Sequence, residues 1–240
     1  MLSCNSHQIC FARLISGIKS LGPGIRTCLW LQGCRHPFCK GCTSPELHPF
    51  LQERYISTDM IIQVLSNQSS DRLTISGGEP LDQAEALYTI LRHIRCHYKD
   101  ILLYTGYDFE TLTDQQLRVV GMADVVITGP YQEFSDDGCV LKGSNNQHLY
   151  FTKRCKHHLA LDYFTYIREN SSPFHTYEKT LVEQNLRKEL KKIKGNQYTH
   201  PVPLHTGQSL PFCFFVPLHA LHTCSAISVY LLSKYIYIIL

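Results

Sequence analysis

Along the first 150 positions, apolar residues alternate between short continuous runs and runs with helical spacing. Gln8 to Ile15 and Ile25 to Gln32, rich in Ile, Leu, Cys and aromatics, predict strands. Thr58 to Asn67 places Ile61, Ile62 and Leu65 on one helical face, with Ser57 or Thr58 as N-cap. Arg72 to Ile75 predicts a short buried strand running into Ser76-Gly77-Gly78. Gln83 to His97 predicts a helix with Ala84, Leu87, Ile90, Leu91 and Ile94 along one side. The strand Ile101 to Thr105, the helix Leu112 to Val120 and the strand Ala123 to Thr128 follow, the last ending at Gly129-Pro130.

Strands alternating with helices of this length imply βα units and a mostly parallel sheet. In such sheets sites lie beyond the C-terminal strand ends. The glycines and cysteines fall just after predicted strands, which directs attention to those loops.

The pattern divides the chain into a core over residues 1–150, a helical extension over 151–195 and an atypical tail over 196–240. Within the extension, Thr180 to Lys194 predicts a basic amphipathic helix with Leu181, Val182, Leu186, Leu190 and Ile193 as its apolar face. Between Lys194 and Lys234 there is no Asp, Glu, Lys or Arg, and prolines 201, 203, 211 and 217 break helices. Ala226 to Leu240 is apolar but shorter than the roughly 20 residues a bilayer span needs, and Lys234 interrupts it. The tail therefore reads as a poorly ordered extension, a terminal membrane-seeking segment or sequence never selected to fold, and it is expected to take no part in chemistry. There are no internal repeats.

Composition narrows the class. With 240 residues, 44% hydrophobic and 18% charged, the chain can bury a real core and is neither disordered nor coiled-coil. A net charge of +3 is too mild for a nucleic-acid binder. Residues 1–17 lack a basic segment followed by a clean apolar run, so no secretory signal is read. The expectation is a cytoplasmic protein with reduced thiols, in which clustered cysteines serve a metal or catalysis.

Three of the eleven cysteines are clustered, Cys34, Cys39 and Cys42, within a loop that also holds Pro37 and Gly41. Zinc wants a fourth ligand, which His36 or His48 could supply; no second CxxC pair argues for a zinc ribbon. A [4Fe–4S] cube also takes four ligands, so three thiolates would leave one iron open to a substrate or cofactor. Cys28 and Cys96 read as small hydrophobes inside elements. His93 and His97 lie four apart on a helix without a third partner.

Ser76-Gly77-Gly78-Glu79-Pro80 follows a strand and precedes a helix. Paired glycines allow close backbone approach to a ligand, and Glu79 can accept from an ammonium group. This segment, Gly22-Pro23-Gly24-Ile25-Arg26, Trp30-Leu31-Gln32-Gly33-Cys34 and Lys40-Gly41-Cys42 occur in an order that resembles radical S-adenosylmethionine enzymes, most of all the activating proteins of anaerobic (class III) ribonucleotide reductases. Leu103-Tyr104-Thr105-Gly106-Tyr107, Val126-Ile127-Thr128-Gly129-Pro130-Tyr131 and Leu141-Lys142-Gly143-Ser144-Asn145-Asn146-Gln147 extend the likeness over roughly Ala12 to Leu149. The family's usual spacing is C-x3-C-x2-C; here Cys34 and Cys39 are one residue further apart, with Pro37 or Phe38 as the inserted position.

The resemblance implies an α/β fold, a partial, open TIM-like barrel of parallel strands with outer helices. It implies that Cys34, Cys39 and Cys42 hold a [4Fe–4S] cluster. Ser76, Gly77, Gly78 and Glu79 would then form the floor under S-adenosylmethionine, with no catalytic residue beyond the cluster and cofactor site. Tyr104, Gly106, Asn145 and Gln147 are weaker candidates as lining residues. The implied partners are the large, glycyl-radical subunit of anaerobic ribonucleotide reductase and a flavodoxin-like or other low-potential electron donor, with neither nucleic acid nor membrane. A radical enzyme acting on another peptide or a small molecule, a non-catalytic zinc-binding module and a degraded gene product are the competing readings.

Overall fold

The computed structural model describes residues 6–35, 39–171 and 236–238. The chain runs β1 (Gln8–Ile18), β2 (Arg26–Leu31), β3 (Tyr55–Ser57), α1 (Thr58–Ser66), β4 (Arg72–Gly77), α2 (Ala84–Ile94), β5 (Asp100–Tyr104), α3 (Asp114–Val120), β6 (Val125–Thr128), β7 (His148–Phe151), α4 (His157–Asn170) and β8 (Ile236–Ile238). These strands form one open sheet in the order β3-β1-β2-β4-β5-β6-β7-β8.

Local chemistry accounts for the helices. Ser57 Oγ caps α1 by accepting from the Asp59 N–H at 3.1 Å. Thr113 and Gln116 form a reciprocal capping box on α3. The central strands are apolar on both sides because both sheet faces are covered. On one face, Leu29, Leu31, Leu73, Ile75, Ile101 and Leu103 pack against α1, α2 and α3. On the other, Leu102, Val125, Ile127, Leu149 and Phe151 meet Leu159 and Tyr163 of α4.

The α/β class and the parallel centre hold, since β2–β4, β4–β5 and β5–β6 pair in parallel. The expected barrel of parallel strands does not form: the sheet is mixed and open. Strand β1 is antiparallel to both β2 and β3, and β7 is antiparallel to β6. The reason lies in the connections. Seven residues join β1 to β2, too few for a helical crossover, and residues 129–147 join β6 to β7 without any helix. Two reversals cut off the βα repetition that closure requires. The predicted helix Thr180–Lys194 lies outside the described residues, as does the tail apart from the three residues of β8, which run parallel to β7.

One end of the face under α4 is charged. Arg26 and Asp100, both 0% exposed, form an ion pair at the start of β2 and β5. Arg26 also donates to Thr74 Oγ1 (2.6 Å), the Leu73 carbonyl (2.7 Å) and the Pro23 carbonyl (3.1 Å). Tyr163 of α4 donates to Asp100 at 3.0 Å, and Arg72 lies 3.2 Å from it. Arg26, which looked like part of a turn motif, is thus the buried bolt joining that turn to three elements.

Candidate functional site

At the opposite end of the same face, beyond the C-terminal ends of β2, β4 and β5, lies a cavity of about 420 Å³. The stem of its first wall is the chain leaving β2. Gly33 N–H donates to the Leu47 carbonyl (2.8 Å) and Cys34 N–H to the His48 carbonyl (2.9 Å). Gln32 bonds the carbonyls of Glu46 and Pro49, closing the loop that carries the cysteines onto itself. Cys34, Cys39 and Cys42 all line the cavity. Residues 36–38, which include the inserted position and His36, lie outside the described residues. His48 does line the cavity. Among the described residues, no three Cys, His, Asp or Glu are placed to clasp a single metal ion.

The second wall is the turn after β4. Gly78 N–H donates to the Leu31 carbonyl (2.9 Å), and Glu79 N–H donates to the Gly33 carbonyl (2.8 Å). A Cβ on Gly77 (φ +121°) would stand 2.2 Å from the Leu31 oxygen, and one on Gly78 would stand 2.2 Å from the Gly33 oxygen. The paired glycines therefore let two backbones touch, which brings the base of the cysteine loop against the Ser76–Glu79 turn. Both also line the cavity, as do Ser76 and Glu79.

Glu79 is 2% exposed. Its Oε1 accepts from Leu81 N–H (2.9 Å) and Thr105 Oγ1 (2.7 Å), and its Oε2 from Gly106 N–H (2.7 Å). Burial pushes the carboxyl up to about 7, against the pull of these three donors. Three donors leave a carboxylate, with roughly four acceptor sites, room for one more. Burial also pushes the Cys34 thiol up to about 12, reinforced by Glu79, Asp82 and the two neighbouring thiols. Cys39 is raised as well, chiefly by burial, although the Tyr131 backbone N–H donates toward its sulfur. Such thiols keep their protons until a cation displaces them. Soft sulfur donors on one wall and a buried carboxylate with spare capacity on the next fit an iron–sulfur cluster beside a cationic amine.

Of the weaker candidates, Tyr104, Gly106 and Gln147 line the cavity, whereas Asn145 does not. Gln147 instead ties two stretches of the third wall, donating to the Gly129 carbonyl (3.0 Å) and accepting from Gly143 N–H (2.7 Å). Sequence reasoning gave no role to Asp82, which accepts from the Arg35 backbone N–H and from Tyr107 Oη (2.7 Å). It sits three residues after Glu79, a spacing that could have drawn attention. Lys142, buried and ion-paired to Asp137, and Tyr131 also line the cavity. Both lie inside motifs read only as family markers.

The family of the 4Fe-4S single cluster domain matches residues 20–150, more than half the chain and all the walls just described. The anaerobic ribonucleoside-triphosphate reductase-activating protein of Vibrio cholerae is 35% identical over 139 residues, covering 52% of this chain and 87% of its own. The chain belongs to this family. Its Haemophilus influenzae member is 34% identical over 136 residues, covering 52% of this chain and 87% of that protein. The enterobacteria phage T4 member is 30% identical over 136 residues, covering 54% and 85%. Family membership brings an iron–sulfur activating-protein class to the chain. No helix among the described residues is long and apolar enough to cross a membrane.

Proposed function

We propose that this chain is a cytoplasmic activase whose Cys34, Cys39 and Cys42 hold a [4Fe–4S] cluster and whose Ser76, Gly77, Gly78 and Glu79 seat S-adenosylmethionine. Its target is the large subunit of anaerobic ribonucleotide reductase, on which it installs a glycyl radical, with a flavodoxin-like or other low-potential protein as electron donor. The observation that carries this reading is the meeting of three thiols and one buried, hydrogen-bonded glutamate in a single cavity. The family membership supports it, as the relatives are named for activating that reductase.

Held by Cys34, Cys39 and Cys42 and by Ser76–Glu79, the cluster and S-adenosylmethionine would supply one-electron reductive and hydrogen-abstraction chemistry. The chain's own residues position and shield. Glu79, held by Thr105 and Gly106, presents its remaining lone pair to an ammonium group, and a cation there returns the carboxyl to its ionised form. The Glu79–Gly33 bond fixes the distance between that carboxylate and the first thiol. Trp30 and Tyr104, from the sheet floor, exclude water from the cavity. Residues 1–150 carry this chemistry, and 151–195 serve as an extension of that core.

Anaerobic reconstitution with iron and sulfide, followed by dithionite and S-adenosylmethionine, tests the reading. The expected result is 5′-deoxyadenosine that depends on all three cysteines. No product, with zinc bound or no metal retained, overturns it in favour of a binding module.

A further inference from the structure

The connection from β6 to β7 contains a residue that neither the core nor the cavity explains. Ser135 N–H donates to the Gln132 carbonyl at 3.3 Å and closes a four-residue turn. Its third position, Phe134, has φ +62°, the region in which glycine is the unstrained occupant. Among the described residues it is the sole non-glycine with positive φ. Its ring is 95% exposed, while no other exposed large hydrophobic among the described residues exceeds 56%. Strain and full exposure in one bulky side chain favour neither folding nor solubility.

The turn is fixed on both shoulders. Gln132 N–H donates to Ser144 Oγ (3.1 Å) and Asn145 N–H donates to the Ser135 carbonyl (2.6 Å). Its neighbours place it beside the cysteine loop. Tyr131 lines the cavity, and the Glu133 side chain stands where a Cβ on Gly41, between Cys39 and Cys42, would fall. The turn that carries the ring is therefore anchored next to the wall that carries the thiols.

We propose that Phe134 is a docking anchor for the polypeptide that receives the radical, its ring entering an apolar pocket close to the receiving glycine. This rests on the reading of the cavity given above. A preformed, strained turn meets its partner without ordering a loop, which lowers the cost of association. Exposed Glu133 and Asp136 flank the ring in the chain, so the complementary surface is a pocket rimmed by basic groups, and an anionic membrane is disfavoured.

The test uses the full, cluster-loaded chain and the anaerobic reductase polypeptide of the same genome, with affinity measured anaerobically. Phe134→Gly keeps the turn and removes only the ring; we expect binding weaker by roughly tenfold or more. Iron per chain and 5′-deoxyadenosine formed without the reductase stay at the parent level. Phe134→Trp restores binding, and Met60→Ser, an equally simple loss of exposed apolar surface on α1, leaves it unchanged. Undiminished binding by Phe134→Gly overturns the proposal, as does an equal loss in Met60→Ser, or loss of a self-dimer in place of the reductase complex. A parent protein that makes no 5′-deoxyadenosine overturns the cavity reading instead, and the binding comparison still decides the anchor.

Discussion

The backbone N–H of Glu79 donates to the carbonyl of Gly33 at 2.8 Å, one residue before the first cysteine of the Cys34–Cys42 loop. Two motifs more than forty residues apart in sequence thus share a hydrogen bond, and the glycine before Glu79 exists to permit it. Gly78→Ala would press a methyl group onto the Gly33 oxygen, where backbone has to move. We expect a stability loss of about 1–3 kcal/mol and sharply reduced iron after reconstitution. Thermal unfolding and iron per chain measure both; full iron retention would show that the contact does not position the loop.

Cys39→Ala is expected to abolish cluster binding, whereas Cys28→Ala, buried inside β2, leaves iron unchanged. Iron per chain after anaerobic reconstitution decides this. Equal iron in the two variants would remove Cys39 from the ligand set.

Replacing Glu79 by Ala should keep the cluster and weaken S-adenosylmethionine. Losing one hydrogen bond to a charged group corresponds to roughly 10–100-fold in affinity. A titration monitored through the cluster's absorbance separates the two effects, and an unchanged affinity sinks the assignment.

Asp100→Ala leaves the Arg26 guanidinium buried with only Arg72 and neutral groups about it. Breaking a buried pair in this way costs about 3–5 kcal/mol. Denaturant unfolding checks the magnitude, and a change below 1 kcal/mol would mean that water or a shift of Tyr163 relieves the charge.

Burial raises Asp124 to about 6, although Arg95 pairs with it at 2.7 Å. A carboxyl raised above its unfolded value of about 3.9 binds its proton more tightly when folded. Its contribution is therefore fully present at low pH and is lost as pH rises through that window. Parent stability should fall more steeply between pH 4 and 7 than that of Asp124→Asn, measured by urea unfolding at each pH. Parallel profiles would refute the shift.

Much of this was legible along the chain. The 3.6-residue spacing marked α1 and α2 because each buries one stripe, and the uninterrupted apolar runs marked β4, β5 and β6 because both sheet faces are covered. Strand direction was harder. It depended on the seven residues between β1 and β2 and the helix-free stretch before β7, which periodicity does not weigh. β7 is only four residues long, and α4 faces the sheet with aromatic as well as aliphatic groups, so neither stood out. At the site, the cysteine loop and the glycine pair were visible as local motifs. The contacts of Asp82, Tyr131 and Lys142 were not, since each becomes meaningful only when distant segments meet.

The Arg26–Asp100–Tyr163 cluster and α4 close the sheet face behind the cavity, while the strand ends leave it open in front. That geometry makes the chamber a blind alley. If the proposed function holds, a polypeptide target would reach the chamber only from the strand-end side, with a segment slim enough for a cavity of about 420 Å³. Under that reading, how readily a folded target can release such a segment would bear on turnover as much as anything in this chain.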